Sequence, residues 1–142
     1  MGYNIEIAMS SADDKVKMVS DMPGRAPVVS DYYPPVGTNE GYTGLELLLL
    51  SLTSCVSVAV LYILRNNMKK TVTACKASAK GTQRDENPKI LETISIEFQI
   101  QSPDISESDF ATAVRAAEKI CPVWNMLKSG TKIEVGCKLV SQ

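Results

Sequence analysis

Residues 43–70 read Thr-Gly-Leu-Glu-Leu-Leu-Leu-Leu-Ser-Leu-Thr-Ser-Cys-Val-Ser-Val-Ala-Val-Leu-Tyr-Ile-Leu-Arg-Asn-Asn-Met-Lys-Lys, and this stretch decides the fold. It has no proline and no interior glycine, and its apolar side chains fall on every side of a helical projection. Such a segment is a buried helix or a membrane span. Thr43 and Glu46 have the spacing of a capping box, in which each side chain satisfies a main-chain N–H at the helix start. Tyr42 and Leu47 have the spacing of the accompanying hydrophobic staple. Arg65, Lys69 and Lys70 suit the negative end of the helix dipole. Leu45 to Leu64 is about the length of a bilayer span, but Ser51, Thr53, Ser54, Cys55 and Ser57 interrupt it. The amphipathic strands on either side also need a core to pack on. The expectation is one central helix inside a protein core, with no membrane partner, and a helix apolar all round is more easily buried by two chains than by one.

The chain has 142 residues, enough to bury a core without disulfides or metal, so residues 1–142 are expected to form a single domain. Fifteen basic and sixteen acidic side chains are spread along it, for a net charge of −1. That leaves no electrostatic footprint for nucleic acid or an anionic membrane, and a small neutral ligand fits better. Histidine is absent, which excludes Cys–His and Ser–His nucleophile pairs and disfavours the usual zinc sites. No metal and no cofactor are expected. The four cysteines, at 55, 75, 121 and 137, form no Cys-x-x-Cys pair, and the N-terminus reads as a strand rather than a secretory signal. A reducing cytoplasm is the expected setting, with the cysteines kept for packing or redox chemistry.

In chain order, Tyr3, Ile5, Ile7 and Met9 alternate with polar or small residues, and Lys15 to Ser20 alternates again after a polar turn, predicting two antiparallel strands. Pro23-Gly24 marks a turn and Ala26 to Asp31 a short third strand. Tyr32 to Gly41, with Pro34, Pro35, Gly37 and Gly41, is an ordered loop or an arm. After the central helix, Thr71 to Lys80 is a strand. A charged turn then leads to a strand with Ile94, Ile96, Phe98 and Ile100 on one face. Ser106 and Asp109 form a second capping box, followed by the helical stripe Phe110, Ala113, Val114, Ala117, Cys121. Pro122 breaks the main-chain ladder, Val123 to Lys128 add a short helical turn, and Thr131 to Val140 is the last strand. The class is α+β, an antiparallel sheet with helices packed on it.

Cys55 lies mid-helix, where a free cysteine is commonly a small core hydrophobe whose burial raises its pKa unless a cation reaches it. Cys121 closes the buried stripe of the second helix and precedes Pro122, at what reads as the N-terminus of a new helical turn. There the dipole favours thiolate, so packing and function both remain open for it. Cys75 and Cys137 sit in strands and read as packing. Glu46 is explained as a cap. On one regular helix, nine residues place it about half a turn and ~13–14 Å from Cys55. A joint role therefore needs an irregular helix or a second copy of the chain.

The segment from Gly41 to Cys55, with its Leu-Glu-Leu-Leu-Leu core, and Ala-Glu-Lys-Ile-Cys-Pro-Val from Ala117 to Val123 resemble the two signatures of the OsmC/Ohr proteins. The order of elements is similar along nearly the whole chain. The resemblance implies an OsmC-like intertwined homodimer, with its central helices buried against each other and two sites at the interface. It also implies that Cys55 attacks the O–O bond of an organic or fatty-acid hydroperoxide and that Cys121 closes a disulfide with it. A dithiol or lipoyl-bearing protein would then reduce the pair. Oxidation chemistry supports those steps, because a sulfenic acid beside a second thiol condenses to a disulfide before oxidising further.

By the same resemblance Glu46 matches the family's glutamate and pairs with an arginine that supports the thiolate. Arg25 is the candidate, and a solvated turn arginine in Pro-Gly-Arg is its other reading. The prolines that usually precede the glutamate are replaced here by Tyr42 and Gly44. The nine-residue spacing to Cys55 is more similar to the OsmC-like branch than to the Ohr branch. The expected function is thiol-dependent reduction of organic hydroperoxides in an oxidative stress response. The rivals are an OsmC-like binding or redox-sensing protein, and a thiol enzyme acting on another sulfur or electrophilic substrate.

Overall fold

The computed structural model describes residues 2–140, and the chain falls into two compact units, Met1–Leu48 and Leu49–Gln142. In the first, β1 (Met9–Ser11), β2 (Met18–Ser20) and β3 (Val29–Ser30) form an antiparallel meander. The β1–β2 turn is tied by the Asp13 carboxylate, which accepts the N–H groups of Lys15 and Lys17. The strand expected from Tyr3 to Met9 forms only at its last residue. Tyr3, Ile5 and Ile7 are 94%, 89% and 75% exposed, and residues 2–8 have no strand partner among the described residues. Alternation specifies which face a strand would bury, but a strand also needs a neighbour's N–H and C=O groups, and alternation supplies none.

The loop after β3 is ordered, as expected, and Asp31 organises it. Its buried carboxylate accepts the N–H of Tyr32 at 2.8 Å, the Thr38 hydroxyl at 2.8 Å and the Glu40 N–H at 3.0 Å. Led by the Glu40 N–H, these donors hold its pKa down to about 2. Gly37 passes so close that a Cβ there would fall on the Asp31 carboxylate and the Tyr32 backbone. The unit ends in the predicted capping box: Glu46 Oε1 accepts the Thr43 N–H at 2.8 Å, and Thr43 Oγ1 accepts the Glu46 N–H at 3.3 Å.

Helix α1 (Gly44–Tyr62) is followed by a π-helical turn, Ile63–Asn67, and Lys69, with φ of +56°, ends the helical path. The C-terminal cations find specific partners: Arg65 donates to the Val72 carbonyl at 3.1 Å, and Lys70 pairs with Asp109 at 3.3 Å. Gly44–Asn67 is long and apolar enough to cross a bilayer. Leu52, Val56, Ala59 and Val60 are nevertheless buried within the chain. On the other side, Leu50, Val58 and Tyr62 are 48%, 67% and 57% exposed.

The second sheet, in the order β4 (Ala74–Gln83), β5 (Leu91–Gln101), β6 (Lys132–Val140), is built on its middle strand. Leu91, Ile94, Ile96, Phe98 and Ile100 of β5 are all buried, which is the alternating face expected. Strand β4 runs antiparallel to β5, with Ala77 opposite Phe98, but β6 runs parallel to it, with Cys137 beside Phe98. The sheet is therefore mixed rather than wholly antiparallel. The cause is the β5–β6 connection: it crosses over through two helices, and a crossover returns the chain in its original direction.

Helix α2 (Glu107–Ile120) opens with the predicted box, Ser106 Oγ accepting the Asp109 N–H at 3.1 Å and Asp109 Oδ2 accepting the Ser106 N–H at 2.9 Å. It lays Phe110 against Phe98, with ring centroids 5.6 Å apart. Helix α3 (Pro122–Leu127) follows directly.

Candidate redox site

Two segments of the second unit bring the site together. Cys55 comes from the middle of α1, one residue before buried Val56, and is half-buried. Cys121 is the residue between α2 and α3 and is 1% exposed. Its S–H donates to Cys55 Sγ at 2.6 Å. Sixty-six positions apart in sequence, the two thiols are adjacent in space, free of disulfide, and one of them is reachable from solvent.

Local chemistry explains why the chain turns at Cys121. Pro122 has no N–H and cannot continue the α2 ladder. Cys121 adopts an extended conformation, with φ of −77° and ψ of +111°, and serves as both the C-cap of α2 and the N-cap of α3. Its own N–H still reaches the Ala117 carbonyl at 2.8 Å. The missing Pro122 donor would leave the Glu118 carbonyl unpaired. The side-chain amide of Asn125 takes its place, donating to Glu118 O at 2.6 Å and to Cys121 O at 2.8 Å. Asn125 was not singled out from the sequence. The signal that could have found it is Pro122 directly after a helix, with an amide side chain three residues on.

The dipole argument for an acidic Cys121 is overturned. Burial pushes its thiol up to about 11, the hydrogen bond with Cys55 pushes the same way, and the N–H groups of Trp124 and Val123 pull down without prevailing. The one-turn helix does point its N–H groups at the sulfur, but desolvation of a thiolate outweighs two main-chain donors here. Cys121 is therefore held as a thiol that donates to Cys55.

The other cysteines lie elsewhere. Cys137 lines a cleft of about 510 Å³ between α2 and β6, with Phe110, Val114, Val135 and Leu139. Burial, then the charge of Glu97, pushes its pKa up to about 11. Cys75, on β4, is also shifted upward, by burial first. Both are kept protonated; Cys137 is half-buried, whereas Cys75 is exposed, which differs from the packing role expected for it. Among the described residues, no group of three or more His, Cys, Asp or Glu side chains could hold a metal ion.

Glu46 and Arg25 belong to the first unit. Glu46 is exposed and engaged in its cap. Arg25 follows Gly24, which has a φ of +76°, in an exposed turn closed by its N–H on the Met22 carbonyl at 3.4 Å. Arg65, Arg84 and Arg115 donate to Val72 O, Pro88 O and Thr112 Oγ1 respectively. The Arg25 guanidinium has no partner among the described residues.

The sequence profile of the OsmC-like protein family matches residues 37–136. The chain belongs to the OsmC-like family. The match spans the start of the central helix, Cys55, Cys121 and most of the last strand. Among curated relatives, this OsmC-like protein is 26% identical to Protein YhfA of Escherichia coli over 98 residues, covering 68% of this chain and 72% of the relative. Its fold is similar to that of a hypothetical protein from Aquifex aeolicus, with a TM-score of 0.84 and 25% identity over 99% of both chains. It is also similar to an organic hydroperoxide resistance protein OsmC from Legionella pneumophila, with a TM-score of 0.73 and 10% identity over 96% and 99% of the two chains.

Proposed function

We propose that this protein reduces organic hydroperoxides, with Cys55 as the attacking thiol and Cys121 as the resolving one. The observation that carries this reading is the 2.6 Å approach of the two sulfurs, with Cys55 reachable from solvent and Cys121 buried behind it. Cys55 attacks the peroxide oxygen, the O–O bond breaks, and the alcohol leaves with a proton. Cys55 becomes a sulfenic acid. Condensation with the Cys121 thiol releases water and forms the disulfide. A dithiol, such as a lipoyl-bearing protein in a reducing cytoplasm, supplies two electrons and two protons to restore both thiols. An apolar tail on the peroxide gains roughly 0.8 kcal/mol per buried methylene, which favours alkyl and lipid peroxides over hydrogen peroxide.

The working unit in this reading is a homodimer. Leu50, Val58 and Tyr62 form an exposed apolar stripe on α1, which a second α1 would cover. Glu46 and Arg25 then complete a site in the assembled pair, Arg25 being the arginine without a partner among the described residues. The test is to treat the reduced protein with one equivalent of an alkyl hydroperoxide, count the thiols and map peptides without reduction. Loss of two thiols with a Cys55–Cys121 peptide is expected. Four intact thiols would overturn the reading and favour a binding protein that turns nothing over.

A further inference from the structure

We infer that Asn125 is a positioning residue for Cys121: its side-chain amide spans the break between α2 and α3 and fixes the resolving sulfur against Cys55. The inference rests on the Cys55–Cys121 disulfide chemistry proposed above. It starts from the main chain. In a continuous helix the N–H of residue 122 would bond the carbonyl of residue 118, and proline removes that donor. The junction is left with a carbonyl lacking its ladder partner, on a residue whose neighbours must turn sharply to seat a thiol. Asn125 restores the missing bond from the far side of the break, at 2.6 Å to Glu118 O, and bonds Cys121 O at 2.8 Å with the same amide. Its backbone N–H also bonds Cys121 O, at 3.1 Å. Both acceptors are carbonyl oxygens, so only the NH2 end of the amide can face them.

The clamp spans the break at Cys121, from Glu118 to Asn125. Glu118 lies before the break and Asn125 after it. Loosening the clamp frees the φ and ψ of Cys121, which set where its Sγ lies relative to Cys55. The rest of the fold is held by other groups: Phe110, Ala113, Ala117 and Trp124 anchor α2 and α3 from their buried sides. The Asn125 side chain is exposed, so it can be exchanged without opening a cavity. Disulfide closure depends on how often the second sulfur occupies bonding distance, and that probability is what Asn125 raises.

The test equilibrates the full-length protein with glutathione redox buffers and measures the Cys55–Cys121 disulfide by quantitative alkylation. This needs no peroxide. In Asn125→Leu, which keeps the size but removes both donors, the equilibrium constant for the disulfide is expected to fall about five- to tenfold, the scale of one to two neutral hydrogen bonds. Treatment with excess alkyl hydroperoxide should then divert Cys55 from disulfide to sulfinic acid, a partition that a purely structural role would not move. Leu127→Ala is the comparison, since it loosens α3 without touching the clamp. An unchanged constant in Asn125→Leu would overturn the inference, as would an equal fall in Leu127→Ala. If the native protein forms the disulfide in glutathione but loses no thiols to peroxide, the hydroperoxide reading fails and the clamp stands. If it forms no Cys55–Cys121 disulfide at any ratio, both fail.

Discussion

The least obvious residue of the pair is the buried one. Cys121 carries the proton because its thiolate would be desolvated, and that fixes a sign: a thiol whose folded pKa of about 11 lies above the ordinary 9 favours the folded state below pH 9. The contribution is lost as pH rises toward 11, and Cys137 acts in the same direction. Urea stability should fall across that interval and fall less in Cys121→Ala, as unfolding curves between pH 8 and 11 would show. Asp31 has the opposite sign. With its pKa held near 2 instead of 3.8, its contribution is present above about pH 4 and lost as pH falls to about 2. Asp31→Asn should melt at a lower temperature at pH 7 and be less sensitive to acid between pH 4 and 2, read by thermal unfolding at each pH. Neither residue's surroundings were legible in the sequence. Asp31 draws on N–H groups up to nine positions away, and Cys121 reads as a helix N-terminus until the packing that desolvates it is seen.

At the scale of elements, both capping boxes and the buried face of β5 were legible, because each is a local pattern whose partners lie within a few residues. Ser106→Ala should cost about 1 kcal/mol of stability. Phe98→Ala, which removes a fully buried ring against Phe110, should cost about 3–5 kcal/mol; chemical denaturation would measure both. Glu46→Gln separates two roles for the first box. A loss of stability with unchanged thiol reactivity toward an alkylating probe would leave only the cap. The direction of β6 could have been argued from the length of the β5–β6 connection, whereas alternation alone carries no direction. The N-terminal alternation misled for a related reason: Tyr3, Ile5 and Ile7 describe a face that has nothing to cover among the described residues.

Across the whole molecule, apolar surface remains where a globular chain would ordinarily hide it. Leu50, Val58 and Tyr62 stand exposed on α1 together with the side chains of the N-terminal segment. The proposed pairing of central helices would cover the first set. Val58→Asp should therefore shift the particle toward a monomer in analytical ultracentrifugation and abolish peroxide consumption while leaving helical content unchanged. A Val58→Asp protein that stays dimeric would remove α1 from the interface. The family was legible from two short signatures because each is a continuous run of the chain. Their meeting was not, since the approach of residues 55 and 121 is made by packing rather than by sequence distance.

The chain holds a single tryptophan, and it is Trp124, buried on the first turn of α3, three residues after Cys121, with its main-chain N–H directed at the Cys121 sulfur. A lone indole three residues from the proposed resolving sulfur makes the protein its own optical probe. Emission should respond when the two sulfurs join and recover when they part. Oxidation of the proposed Cys55–Cys121 pair could then be followed on the millisecond scale by stopped-flow fluorescence, without a dye and without altering a residue.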